Sequence, residues 1–305
     1  MQNIRRQFLK GALALSAAVA AMSRSGFGGA EGPVLSRTIP HTGESLPVVG
    51  LGTAVTFPSA NLEQREKLNE VIDALISGGG KLVDTASTYG NAEAVIGNFI
   101  DAKKIRERLF VATKIEVRPT ASSADEFQRS LTRLRTDKVD LLQLHNVSRS
   151  NQSLEQLRDW KAAGRCRYIG VTSTFPQDYD AMEAIIRREK PDFVQVDYSM
   201  DNRDAERRVI PAAADAGAAV LTALPLGRTS LFRAVKGKVL PEWAKDFDAQ
   251  SWAQFFLKFL LGNPHVTAVI PGTGNAEHMI DNLNAGRGRM PGEQERQKMI
   301  AVLRS

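Results

Sequence analysis

The 305-residue chain has one cysteine, Cys166, and four histidines, His41, His145, His265 and His278. A single thiol cannot close an intramolecular disulfide, so folding needs no oxidising compartment. No two histidines stand as HxH, whereas a metal-dependent barrel hydrolase needs several His and acidic ligands on its rim; the sequence therefore predicts no metal site. Aromatic residues make up 7%, and no basic block is interleaved with them, which argues against nucleic acid as a partner. The formal charge of +6 does not change that. Arg5, Arg6, Lys10 and Arg24, with no acid among residues 1–30, supply +4 of it and leave +2 for the rest. The apolar run from Gly11 to Met22 is well short of the roughly 20 residues that span a membrane core, so no stable transmembrane span is expected. A Gly-rich dinucleotide loop is also missing. Gly50-Leu51-Gly52-Thr53 is not followed by one, which counts against a doubly wound open sheet.

What stands at the N-terminus reads as an address. Ile4-Arg5-Arg6-Gln7-Phe8-Leu9-Lys10 resembles the twin-arginine export motif, with paired arginines before an apolar stretch. Gly28-Gly29-Ala30 offers small residues for cleavage after Ala30. The expected organisation is a signal peptide over 1–30 and one domain over 31–305, delivered to the periplasm by the twin-arginine machinery. An uncleaved leader acting as an anchor is the variant. Export in the folded state suits a chain that needs no disulfide.

Beyond the leader, Arg37–Val49 reads as a small β-hairpin turned at Thr42-Gly43-Glu44. Short runs rich in Val, Ile and Leu follow at Val49–Gly52, Lys81–Thr85, Leu109–Ile115, Val139–His145, Tyr168–Thr172, Phe193–Tyr198, Ala219–Leu224 and Ala268–Pro271. Their weak alternation fits parallel strands covered on both faces. Amphipathic stretches lie between them. Leu62–Ser77 stops at three glycines, and Ser123 with Glu126 forms an N-cap and capping-box pair. Further helices are expected over Leu154–Ala163, Tyr179–Arg188, Asn202–Ala216 and Ala249–Leu261. Pro211 predicts a kink or a late start in Asn202–Ala216. Eight strands each followed by a helix predict a single-domain α/β fold, the (β/α)8 TIM barrel.

In such barrels the C-terminal strand ends carry the active site. Asp84 ends the second strand, Lys114 the third and His145 the fourth, with Tyr89 just beyond the second. Taken singly, Asp84 suits a helix N-cap, Tyr89 a loop, Lys114 a solvated strand end and His145 a packed core. Brought to one rim, they join a phenol to a cation, and a cation favours the phenolate form of a neighbouring phenol. That is the equipment for protonating an alkoxide as a carbonyl receives hydride.

Asp84-Thr85-Ala86 with Tyr89-Gly90, Ala112-Thr113-Lys114, and Leu141–His145 resemble the catalytic tetrad of the aldo/keto reductase family in order and spacing. The resemblance covers about residues 35–290. It implies that Tyr89 is the general acid, that Lys114 and Asp84 tune it, and that His145 positions a small aldehyde or ketone. It also implies hydride from a nicotinamide held without a Rossmann fold: NADPH by family habit, with NADH possible.

For that cofactor the resemblance points to Thr53, Thr172, Ser173, Gln195, Leu226, Arg228, Gly272, Thr273, His278 and Asn282. Thr172 and Ser173 stand where the family has Ser and Asn, and Gln195 matches a glutamine that holds the carboxamide. Ala223 falls where the family stacks a tyrosine, leaving Tyr198 or Phe232 as replacement surfaces. Leu226-Gly227-Arg228 and the stretch to Asp248 resemble the loop over the pyrophosphate. Gly272 replaces a lysine, and His278 replaces the arginine that clasps a 2′-phosphate; an imidazole holds phosphate less firmly than an arginine fork. Pro291–Ser305 offers no bulky loop to close the site, which fits a small substrate. The second class of function is an exported nicotinamide-nucleotide-binding module with regulatory or vestigial activity. Nothing in the residues speaks to oligomeric state.

Overall fold

A hairpin leads into the fold. β1 (Ser36–Thr38) pairs antiparallel with β2 (Ser45–Pro47). Its turn closes where Gly43, at φ 72°, donates to the Ile39 carbonyl, a backbone angle that glycine adopts without a Cβ clash. The computed structural model describes residues 32–58, 61–116 and 120–303, so the leader expected over 1–30 lies outside the described residues.

Eight parallel strands follow in sequence order: β3 (Leu51–Gly52), β4 (Leu82–Asp84), β5 (Phe110–Glu116), β6 (Val139–His145), β7 (Cys166–Ser173), β8 (Phe193–Asp197), β9 (Ala219–Ala223) and β10 (Ala268–Val269). Each overlaps a run expected from the sequence. The sheet curls until its outer strands meet. The Gly50 N–H donates to the Val269 carbonyl at 2.9 Å, and the Gly52 N–H donates to Pro271 at 3.1 Å. Gly52 is required there, because a Cβ would sit 2.7 Å from the Ile270 oxygen. The result is a single (β/α)8-like domain.

Alternation along the strands sorts the core into two layers. Leu82, Phe110, Ala112, Leu141, Tyr168, Phe193, Ala219 and Leu221 point inward and pack with Ile39 and Leu46 of the hairpin, which plugs the N-terminal end. Val83, Val111, Leu142, Ile169, Val194 and Val220 point outward against the helices. Above the apolar inner layer, the same inward parity brings Asp84, Lys114, Gln143, Thr172 and Gln195 to the upper end of the curled sheet, all buried.

The helical layer comprises α1 (Leu62–Ser77), α2 (Ala92–Lys103), α3 (Thr120–Leu134), α4 (Glu155–Ala162), α5 (Tyr179–Glu189), α6 (Val209–Asp215), α7 (Ser230–Ala234), α8 (Trp252–Leu261), α9 (Ala276–Asn284) and α10 (Glu293–Val302). Asn61 and Gln64 form a capping box at the start of α1. The cap expected at Ser123 is not used, because α3 starts at Thr120. Glu126 accepts from the Ser87 hydroxyl and from the Glu116 N–H, tertiary bonds that tie α3 to the loop after β4 and to the end of β5. Pro211 gives the late start: a 3-10 turn over Asp204–Arg207 breaks at Arg208 before α6 begins. In the first turn of α6, proline's missing N–H leaves no helix bond unmade. The sequence reading specifies neither α2 nor α10. In α2 the buried Ala92, Val95, Ile96, Phe99 and Ile100 do follow helical spacing, and Gly97 lets its backbone meet α3, where a Cβ would fall 2.1 Å from the Arg133 oxygen.

Candidate active site

Lys114 and Asp84 face each other across adjacent strands. The Lys114 Nζ donates to Asp84 Oδ2 at 2.6 Å and to the Thr85 carbonyl at 2.8 Å, with both side chains almost fully buried. Burial alone would lower the Lys114 pKa. The Asp84 carboxylate and the Tyr89 phenol outweigh it, so the net direction is up and the amine stays an ammonium. Burial pushes Asp84 upward, against the pull of Lys114 and the Gln195 amide.

Tyr89 is placed by the loop that follows β4. Its N–H donates to the Ala86 carbonyl, and Ser87 ties the same loop to Lys114 by a backbone bond of 3.0 Å. The ring stands 5.1 Å from Lys114 Nζ and edge-on to His145, with centroids 5.7 Å apart. His145 is pushed down to about 4, first by burial and then by the Lys114 charge, so its imidazole is neutral near pH 7. The Thr88 hydroxyl lies 3.4 Å from His145 Nδ1. The four residues singled out from the sequence thus share one corner of the rim.

Two residues near them escaped the sequence reading. Gln143 donates through Nε2 to Gln195 Oε1 at 2.7 Å, and Gln195 Nε2 donates to Asp84 Oδ2 at 3.3 Å. A signal for Gln143 was present: it is a lone amide in an apolar strand, two residues before His145 and therefore on the same face. Thr88 offers no comparable signal.

The expected cofactor residues are more scattered. The Thr53 hydroxyl donates to the Asp84 carbonyl at 2.9 Å. Thr172 faces inward at the end of β7, whereas Ser173 has the opposite parity and donates to Asp178 at 2.6 Å. Leu226 packs partly against the core, and Arg228 reaches Asp197 at 3.4 Å from an otherwise exposed position. Burial raises Asp197 to about 6, with Arg228 opposing. Gly272 bridges to Gly52 beside β3. The Thr273 hydroxyl accepts from the Asn275 N–H, and the Asn275 side chain caps α9 by accepting from Glu277 and His278 N–H groups. His278 is exposed and Asn282 buried. Tyr198 cannot replace the ring missing at Ala223. It points outward from β8, is fully buried, and bonds Glu206 and Arg296. Phe232 is 38% exposed and packs edge-on against Phe256.

No group of three or more His, Cys, Asp or Glu suited to a metal occurs among the described residues, and no described helix is long and apolar enough to cross a membrane. Residues 48–297 match the Aldo/keto reductase family. The chain is 34% identical over 190 residues to an aldo-keto reductase of Mycobacterium avium, a match covering 60% of this chain and 63% of that one. It is 25% identical over 271 residues to the uncharacterized oxidoreductase YqkF of Bacillus subtilis, covering 76% and 86%. A Klebsiella pneumoniae aldo-keto reductase solved in complex with NADPH superposes with a TM-score of 0.71 at 24% identity, covering 87% of this chain and 94% of that one. A family match across most of its length makes this chain a member of the aldo/keto reductase family.

Proposed function

We propose that this protein is an NAD(P)H-dependent oxidoreductase that reduces the carbonyl of a small aldehyde or ketone to an alcohol. The observation that carries the reading is the buried Lys114 ammonium, bonded to Asp84 and 5.1 Å from the Tyr89 ring. In this reading the Tyr89 phenol gives its proton to the carbonyl oxygen as negative charge develops there. Lys114, fixed by Asp84, stabilises the phenolate left behind. His145, neutral near pH 7, donates from Nε2 to the same oxygen while the Thr88 hydroxyl donates to Nδ1.

A nicotinamide dinucleotide, when bound, supplies the hydride. The donor set fits such a group unevenly. At the tetrad end, Thr172 and the second N–H of Gln195 are available to a carboxamide. Along the rim, Arg228 is 61% exposed with one long ionic contact, so it is free to meet a phosphate. At the adenosine end neither Gly272 nor His278 supplies a fixed charge, and Asn275 already uses two N–H groups of α9. The fit accommodates NADPH, the nucleotide seen in the Klebsiella relative, and leaves NADH admissible.

The test is a panel of small aldehydes and ketones with protein lacking residues 1–30, following nucleotide oxidation and nucleotide fluorescence separately. Tyr89→Phe is expected to cut kcat by about 10²–10⁴-fold while nucleotide binding stays within about twofold. Equal turnover in that variant rules the phenol out. The self-capped start of α9 and the alanine at Ala223 favour one second reading, a nucleotide-binding module without turnover, which predicts nucleotide binding and no carbonyl reduction.

Residues 1–30 are proposed as a cleaved twin-arginine leader that carries the folded domain of residues 31–305 to the periplasm. Arg5-Arg6 before the apolar run of residues 11–22 supports this. Changing both arginines to lysine is expected to hold the protein in the cytoplasm at full length. Unchanged fractionation would discard the leader.

A further inference from the structure

Four buried side chains from four strands form one hydrogen-bonded row across the upper end of the curled sheet. Gln143 on β6 donates to Gln195 on β8 at 2.7 Å, Gln195 donates to Asp84 on β4 at 3.3 Å, and Asp84 accepts from Lys114 on β5 at 2.6 Å. Gln143 reaches β8 by crossing in front of β7, and the lane exists because β7 has a glycine there. A Cβ on Gly170 would lie 3.0 Å from Gln143 Cγ, 3.2 Å from its Oε1 and 2.9 Å from the Phe193 carbonyl oxygen. The row also has a direction. A Gln195 carbonyl turned toward Asp84 would set two oxygens against each other, whereas its NH2 is attracted. With that end fixed, Gln195 Oε1 faces Gln143 and needs a donor, which Gln143 Nε2 supplies. The arrangement has a cost: Gln143 Oε1 is buried without a partner, a penalty that an apolar residue at this position would avoid.

We propose that Gln143 is a positioning residue for proton transfer: through Gln195 it holds Asp84 ionised and aimed at Lys114, and so keeps the ammonium beside Tyr89. The assignment rests on the carbonyl-reductase reading for its effect on turnover, though not for its effect on Asp84. Lys114 and Gln195 face Asp84, with Tyr89 and His145 beyond Lys114. On the other side, Gly52 of β3 pairs with Asp84 and Thr53 just beyond it donates to the Asp84 carbonyl; neither is titratable. The Gln195 N–H favours the carboxylate form of Asp84. Removing its anchor therefore lets Asp84 keep its proton to higher pH.

The decisive variants are Gln143→Met, which keeps the volume and loses the donor, and Gln143→Glu, which offers acceptor oxygens and turns the Gln195 amide around. Two measurements separate this proposal from the reading beneath it. One is the titration of the Asp84 carboxyl by 13C NMR in aspartate-labelled protein, assigned with Asp84→Asn, which requires no turnover. The other is the pH profile of kcat. In Gln143→Met the Asp84 titration and the acid limb of kcat are expected to move together to higher pH by about half a unit or more, with kcat near neutrality down about tenfold. Gln143→Glu is expected to exceed both effects. An unmoved Asp84 titration in a folded Gln143→Met protein overturns the proposal, whatever the activity. If the parent protein reduces no carbonyl yet the titration moves as described, the row stands and the reductase reading falls.

Discussion

The two sides of the rim are built differently. Where β4, β5 and β6 end, Asp84, Lys114 and Gln143 are buried, make bonds of 2.6–2.8 Å and are supported from several strands. Where β9 and β10 end, they lie nearer solvent and are satisfied locally. Asn275 caps its own helix, Ser230 bonds Asp201 and the Gly227 carbonyl, and Arg228 has a single 3.4 Å contact. Leu224, Arg228 and Thr229 hold left-handed backbone angles in the loop between. The difference fits the two tasks in the proposed reaction. A proton donor needs fixed geometry in a dry corner, whereas a surface that admits and releases a nucleotide needs groups that can exchange partners.

The largest expected effect comes from breaking the fixed side. Lys114→Met strands the Asp84 carboxylate in the core and is expected to cost about 3–5 kcal/mol of stability in urea unfolding, together with about 10³-fold in kcat. Adding Asp84→Asn to it should restore most of the stability and none of the rate, which separates burial of a charge from catalysis.

A smaller effect is expected on the open side. Arg228→Ala should weaken nucleotide binding about tenfold by fluorescence titration, with stability unchanged, since the side chain is mostly solvated. A loss of stability as large as that of Lys114→Met would erase the contrast between the two sides.

The smallest effect concerns Asp197, whose folded-state pKa is raised to about 6 by burial. Its contribution to stability is complete below the unfolded value of 3.8 and is lost as pH rises through about 6. Asp197→Asn should therefore raise Tm by about 2–4 °C at pH 8 and leave it unchanged below pH 4. A gain that persists in acid would mean that ionisation is not its source.

Much of this arrangement is legible in the amino-acid sequence. Apolar runs about 30 residues apart imply a parallel sheet covered on both faces, and the missing Gly-rich loop after the first of them counts against an open one. Asp84, Lys114 and His145 each close such a run, so the rule that barrel sites lie at strand ends places them together. Other features depended on contacts between distant segments. Ser123 carries a sound local capping signal, yet α3 begins at Thr120 and takes Ser123 into its interior. Tyr198 is the right kind of ring for stacking, and its strand parity turns it outward into a cluster with Arg296.

The sequence by itself determined the order of the eight strands, most of the helices between them, and the identity of the four groups at the strand ends. These follow from local periodicity and the chemistry of single side chains. Only the tertiary structure decided that Gln143 could pass in front of Gly170 to reach Gln195, that Asn275 would use the donors of α9, and that His145 would be neutral. The Gln143 row and the His145 state depend on residues far apart in the chain meeting in a medium with little water, where burial sets both the strength of a hydrogen bond and the cost of a charge, whereas the Asn275 cap is a local contact at an exposed helix start.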